Sequence, residues 1–256
     1  MKTVAKDKNE LKRRIKRFFN ESSKERQEIH AFLDKLSELS TIYIFGGAIR
    51  DIALQGILAC NSDIDIIYEG NSKCVREYLA HFSPTRNKFG GYRFTLNRRP
   101  IDIWEARESW AFKEGHKKYS GIESLLTTTI TNWDSVLFDW KNKIIIVRKQ
   151  YFADLADGYL EIILDKNPNR MGMYVRLLRF YADKNAHLLS PKAASLLRDA
   201  MHDYSFEEIR DYELNGYGES HISYSLYSYL KSHQSIEFPD LLPVELDSFN
   251  CTKPLV

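Results

Sequence analysis

The sequence predicts an α+β fold: a mixed sheet with helices, followed by an all-helical domain. Three observations carry the prediction. Apolar residues recur with a helical period up to residue 40, and form short alternating or continuous runs between 41 and 167. From residue 168 to 256 the helical period returns. The pattern divides the chain into an N-terminal helical extension (1–40), a sheet-bearing domain (41–167) and a helical C-terminal domain (168–256). With 256 residues the chain is long enough for a sizeable core, and 43% hydrophobic and 28% charged residues are the balance of a soluble globular protein. No low-complexity linker or internal repeat interrupts it.

The elements follow in order. Residues 9–19 place Leu11, Ile15, Phe18 and Phe19 on one helical face, with Lys12, Arg13, Arg14, Lys16 and Arg17 around the rest. That basic face reads either as a solvated surface or as a contact for RNA phosphates. Ser22 to Glu25 has the form of a capping box, and the helix behind it aligns Ile29, Phe32, Leu33, Leu36 and Leu39. Ile42 to Phe45 is a short apolar strand ending at Gly46-Gly47, and "AIRDIAL" follows as a helix. "DIDIIY" from Asp63 alternates like a half-buried strand, and "SKCVREYLAHF" reads as a helix. "GYRFTLNRRPIDIWEA" reads as two strands broken near Pro100; residues 121–129 read as a helix. "SVLFDWKNKIIIV" reads as a hairpin turning at Lys141–Lys143. Beyond Pro168 the strand pattern ceases, and four helical segments follow.

Composition excludes several classes. A net charge of +2 is no polycation, so a nucleic-acid surface must come from local clustering of Lys and Arg. Cys60, Cys74 and Cys251 form no CxxC pair, which speaks against a zinc site or disulfide framework and suits a reducing cytosol. The N-terminus lacks the apolar core of a signal peptide, and no run approaches the length that spans a bilayer. A cytoplasmic location without membrane association is expected. The histidines show no paired-ligand spacing.

The chemistry concentrates in "FGGAIRDIALQGILACNSDIDIIYEG" and "PIDIWEA". On a strand, residues two apart share a side, so Asp63 and Asp65 project together while Ile64 and Ile66 face the core. Adjacent carboxylates repel, and water at a sheet edge or a hard divalent cation, magnesium or manganese, offsets the repulsion. Asp102, flanked by Ile101 and Ile103, completes the site if the two strands are neighbours. Three carboxylates suit a two-metal nucleotidyl or phosphoryl transfer, in which positioning and charge neutralisation do most of the catalysis. Gly46 and Gly47 let the chain turn sharply and let a phosphate approach the helix N-terminus, with Arg50 in its first turn.

These residues resemble the nucleotidyltransferase superfamily, most closely the head domain of bacterial poly(A) polymerases and class II CCA-adding enzymes. "GGAIRD" and "DID" match the family's GGxxRD and DxD stretches, and "IDIWEARE" supplies the third carboxylate, Asp102, before Arg107-Glu108. "TITNWD" looks like a degraded TINA-like motif. "YVRLLRF", with Arg176 and Arg179, looks like the start of the family's neck. "EEIR", Glu207 to Arg210, resembles its ExxR motif. The resemblance covers roughly residues 41–215. It implies a nucleotidyltransferase palm followed by a neck-like domain. It further implies catalytic and metal-binding Asp63, Asp65 and Asp102, and nucleotide contacts from Gly46, Gly47, Arg50, Asp51, Asn132, Arg176, Arg179, Glu207 and Arg210.

The sequence also departs from the family. Thr127-Thr128-Thr129 stands where the family has Arg-Arg-Asp, leaving Asn132 and Asp134 to take over part of that work. "ILACN" lengthens the link before "DID", and the family's body and tail domains are largely absent. The implied function is transfer of a nucleotide from ATP or CTP to a hydroxyl, with an RNA 3′ end, tRNA first, as acceptor. Nucleotidylation of a protein or small molecule by a toxin or resistance factor, and a non-catalytic nucleotide- or RNA-binding module, are the other readings. Arg176 and Arg179 read equally as surface ion pairs, Glu207 and Arg210 as a helix pair. Arg98-Arg99 reads as a phosphate contact or an edge cap, and Tyr224, Tyr227 and Tyr229 as base-stacking or packing residues.

Overall fold

The computed structural model describes residues 4–56, 62–87, 89–232 and 244–245. Cys60, Cys251 and the "ILACN" insertion lie outside the described residues. The chain divides into two compact units, Met1–Ala156 and Asp157–Val256, so the N-terminal helices join the sheet and the division falls at residue 156 where the sequence pattern put 167.

In the first unit, α1 (Lys8–Phe19) is N-capped by Asp7 and buries Leu11, Ile15, Phe18 and Phe19, as its period requires. Helix α2 (Lys24–Leu39) is capped one residue later than expected, by Ser23, whose side chain accepts from the Arg26 amide. Seven strands form one sheet: β1 (Ser40–Phe45), β2 (Ile64–Gly70), β3 (Thr85–Arg86), β4 (Tyr92–Leu96), β5 (Arg99–Glu105), β6 (Val136–Asp139) and β7 (Ile144–Val147). Their order is β3-β4-β5-β2-β1-β6-β7. Every neighbouring pair is antiparallel except β2 and β5. That parallel pair requires a crossover, which α4 (Ser72–Leu79) and the β3–β4 hairpin supply.

Alternation separates the two faces of the sheet. Ile42, Ile44, Ile64, Ile66, Ile101 and Ile103 are fully buried on one face. There Phe32 of α2 packs against Tyr78, Phe82 and Phe94 with ring centroids 5.1–5.6 Å apart. The other face carries Tyr43, Ile67 and Leu137, covered by Leu125 and Leu126. Those leucines lie in a 3-10 helix, Ile122–Thr127, where residues 121–129 suggested a longer helix. The β4–β5 break falls at Asn97-Arg98, with φ 46° and 71°, and not at Pro100. A two-residue hairpin turn takes positive φ at both positions, whereas Pro100 sits within β5 one residue before pairing with β2 begins at Ile101.

The second unit holds α7 (Arg170–Lys184), α8 (Pro191–Asp203), α9 (Phe206–Tyr217) and α10 (Tyr224–Ser232). It also holds a three-stranded sheet that the pattern did not reveal: β8 (Tyr159–Leu160), β9 (Leu188–Leu189) and β10 (Val244–Glu245). Two-residue strands carry no readable period. A capping box of Ser205 and Glu208 starts α9, and Gly218 at φ 74° ends it.

Candidate active site

The strand register assembles a row of side chains across the sheet. Phe45 of β1 pairs with Asp65 of β2, Asp65 with Asp102 of β5, and Asp102 with Arg93 of β4. Register partners share a face, so the carboxylates of Asp65 and Asp102 lie side by side between an aromatic ring and a guanidinium. Asp63, two residues before Asp65, is exposed beyond the strand's first residue; Asp65 is half-buried and Asp102 buried. The neighbouring-strand condition for the trio is met.

Arg93 holds Asp102 through both carboxylate oxygens: its Nε donates to Oδ1 at 2.9 Å and Oδ2 at 3.1 Å, and its Nη2 donates to Oδ2. The hydrogen bond to Asp102, and then the charges of Asp102, Asp63 and Asp65, outweigh desolvation and raise the Arg93 pKa. A cavity of about 470 Å³ opens over this row, lined by Asp65, Asp102, Arg93, Phe45, Trp104 and Trp110 among others. Its size and its aromatic walls with a few convergent charges are those of a small-ligand site. Trp104 is oriented by donating from Nε1 to Ser109 Oγ at 2.9 Å.

As donors, Asp65 and Asp102 on one face, with Asp63 just before the strand, are of the type that suits a hard divalent cation. Among the described residues, however, no group of three or more His, Cys, Asp or Glu is arranged to hold a metal ion. The cation in contact with Asp102 is that of Arg93.

Arg50 and Asp51 lie elsewhere than at the cavity. Arg50 is buried in α3 (Gly47–Gln55), donating from Nε to Asp51 at 2.9 Å and from Nη1 to Asp134. Burial opposes its charge, but Asp51 and Asp134 more than offset this and the net shift is upward. Ser62 donates to Asp51, and Thr131 to Asp134 at 3.3 Å. The Tyr151 hydroxyl beside this network is buried without a hydrogen-bond partner among the described residues, and desolvation raises its pKa. Asn132 is also buried, donating to Asp154 of α6 (Tyr151–Ala156) at 2.9 Å. Thr128 lines the cavity, while Thr129 is buried against Ser135.

The two glycines differ. Gly46 caps α3 at φ 66°, a conformation that disfavours any side chain. Gly47 has an ordinary helical start, and a Cβ there would meet Ser62 only at 3.6 Å, so protein packing does not demand a glycine. Arg99 bridges Glu25 of α2, at 2.8 Å, and the Ser62 carbonyl, at 3.2 Å, next to Asp63. Arg14 is no surface cation: it donates to the Ala53 carbonyl at 3.1 Å and caps the C-terminal turn of α3.

The remaining candidates belong to the second unit. Arg176 is exposed on α7. Arg179 is committed to fully buried Glu213, donating at 2.6 Å, and lies 4.2 Å from the Tyr217 ring. Glu213 also accepts from Ser220 and from the amides of His221 and Ile222. Glu207 is exposed, and Arg210 pairs with Asp211 at 2.9 Å where a pair with Glu207 was one expectation. Tyr227 is buried and Tyr224 exposed.

Solved structures similar to this chain include the following three. The Thermotoga maritima CCA-adding enzyme complexed with tRNA is 19% identical, with a TM-score of 0.55 over 82% of this chain and 50% of that one. A CCA-adding enzyme in complex with CTP is 21% identical, TM-score 0.54, over 80% of this chain and 48% of that one. A tRNA-processing enzyme complex is 18% identical, TM-score 0.55, over 79% and 57%. The chain has a nucleotidyltransferase head-like fold. At these identities the likeness is one of fold, and the chain spans about half the length of the solved structures it matches. No protein-family model and no curated protein matches the sequence. No described helix is long and apolar enough to cross a membrane.

Proposed function

We propose that this chain is a metal-dependent nucleotidyltransferase that moves a nucleotide from ATP or CTP to a hydroxyl, with a tRNA 3′ end as the leading acceptor. The observation that carries the reading is the register of Asp65 with Asp102 on parallel strands, under a cavity, in a head-like fold. Asp63, Asp65 and Asp102 would hold the magnesium or manganese. When bound, the ion neutralises triphosphate charge and lowers the pKa of the acceptor hydroxyl. Phe45, Trp104 and Trp110 supply apolar walls for base or sugar. Gly47 and the N-terminal end of α3 receive phosphate oxygens. The acceptor oxygen bonds to the α-phosphorus as the bond to the β-phosphate bridge breaks. Pyrophosphate leaves, and the hydroxyl proton passes to Asp102.

Buried Arg50, Asp51 and Asn132 position the loop and helix that carry these groups. Exposed Arg176, with Glu207 and Arg210, is assigned to nucleotide or RNA contacts, and Arg179 to holding α7 on α9. Lys12, Arg13, Lys16 and Arg17, exposed on α1, form the RNA-backbone track.

The test is incubation of the pure protein with labelled ATP or CTP, magnesium, and tRNA, total protein or small hydroxyl compounds in separate reactions. Label confined to the tRNA 3′ end is expected. Changing Arg13 and Arg17 to Glu should weaken RNA binding and flatten its salt dependence by roughly 0.7–0.9 in log–log slope for each phosphate no longer neutralised. Label on protein or small molecules only would replace the RNA acceptor. No transfer to any acceptor would overturn the activity.

A further inference from the structure

Arg93 matches none of the sequence motifs, yet it grips Asp102 of the candidate trio directly. Its pairing with Asp102 is asymmetric: the Asp102 side chain is 8% exposed and that of Arg93 is 57% exposed. The carboxylate is fixed in the sheet, while the guanidinium reaches in from solvent over one strand. Both line the cavity with Asp65, and Asp63 and Asp65 also attract the Arg93 charge. The fork that grips a carboxylate with two parallel bonds matches a phosphate equally well. Its solvated stem lets the guanidinium rotate from one partner to the other at small cost.

We propose that Arg93 occupies the cation position on Asp102 in the nucleotide-free protein and transfers to the triphosphate when a nucleotide arrives, so that a divalent ion binds tightly only together with nucleotide. The inference rests on the trio being the nucleotidyl-transfer site. No covalent bond changes. One charge-assisted pair, guanidinium with carboxylate, is replaced by two: guanidinium with phosphate and carboxylate with the ion. It accounts for Asp65 and Asp102 lying in register while no gathered metal cluster forms among the described residues. A cation this close to a carboxylate changes the affinity of that carboxylate for a competing cation by about tenfold or more.

The test is Mn2+ titration by electron paramagnetic resonance, for wild type, Arg93→Gln, Arg93→Lys and Asp102→Asn, with and without an ATP analogue carrying an α,β-methylene bridge. Without nucleotide, Arg93→Gln is expected to bind Mn2+ about tenfold more tightly than wild type. Arg93→Lys, which keeps the charge and loses the fork, should fall between them. With the analogue bound the advantage should vanish, and Arg93→Gln should bind the analogue about tenfold more weakly than wild type. Equal Mn2+ affinities for wild type and Arg93→Gln without nucleotide would overturn the inference. If Asp102→Asn then still lost Mn2+ in the ternary complex, the transfer site itself would stand. No Mn2+ binding by wild type or either Arg93 variant, with or without the analogue, would overturn the metal site and this inference with it.

Discussion

Two arginine–carboxylate pairs in the first unit show how differently one chemistry can be used. Arg50, Asp51 and Asp134 have side chains 8%, 5% and 7% exposed, and each carboxylate is further bound by a hydroxyl. Arg93 instead grips both oxygens of a single carboxylate, Asp102, and the arginine is 57% exposed. Removing one partner of the first network strands a buried charge; removing Arg93 exposes Asp102 to a cavity where water or a cation replaces it. The sealed network fixes the loop and helix, and the open pair leaves room for exchange. Both arginines sit beside aspartates of the catalytic segment, so sequence proximity to a motif does not separate the two roles. Burial of the arginine does.

The comparison can be broken most strongly at Arg50. Arg50→Ala should lower the free energy of unfolding by about 3–5 kcal/mol, as for other broken buried pairs. Arg93→Ala should lower it by less than about 1 kcal/mol. Denaturant unfolding of both variants measures the difference, and equal losses would erase the distinction. A smaller effect, of the opposite kind, is expected at Asp65. Asp65→Ala should cut nucleotide transfer by about 100-fold or more, near 2.7 kcal/mol in the barrier, with its melting temperature close to that of wild type. Full activity would remove the trio from the chemistry.

The smallest effect sharpens the comparison with a carboxylate that has neutral partners. Glu69 lies on the same face of β2 as Asp65 and accepts from the hydroxyls of Tyr43, at 3.3 Å, and Tyr119. Burial, and then the neighbouring carboxylate, push the Tyr43 pKa up to about 12; burial, and then the hydrogen bond to Glu69, do the same for Tyr119. The folded state therefore holds these protons above the unfolded tyrosine pKa of about 10. Their contribution is complete below that value and is lost as pH rises through 12. Tyrosinate absorbance should show two groups resisting ionisation until pH approaches 12, with stability declining over the same interval. Ionisation of both near 10 would contradict the contacts to Glu69.

The side taken by Asp65 was legible because alternation is a strict rule within a strand, whereas Asp63, expected on the same strand, falls just before its first residue, Ile64. Pairing with Asp102 was legible only as a condition, since nothing local specifies which strands adjoin. Arg93 was missed for a simpler reason. With the break assigned to Pro100, the two strands have no definite register. With a two-residue turn at Asn97-Arg98, Leu96 opposes Arg99 and Arg93 opposes Asp102. Asparagine before a second positive-φ residue was the available signal, and the proline obscured it. Arg50 was placed correctly on its helix, but a 3.6-residue period cannot say that its carboxylate partner comes from Asp134, far along the chain. Arg14 illustrates the same limit: its role depends on the end of α3 lying against α1.

Ser62 is gripped from two directions, its hydroxyl by Asp51 of α3 and its carbonyl by Arg99 of β5. Since Arg99 also holds Glu25 of α2, three separate elements anchor the residue immediately before Asp63. The residue leading into the acidic pair is therefore moored from both directions along the chain, by α2 and α3 before it and by β5 after it, so the loss of any single tie leaves the others to hold it.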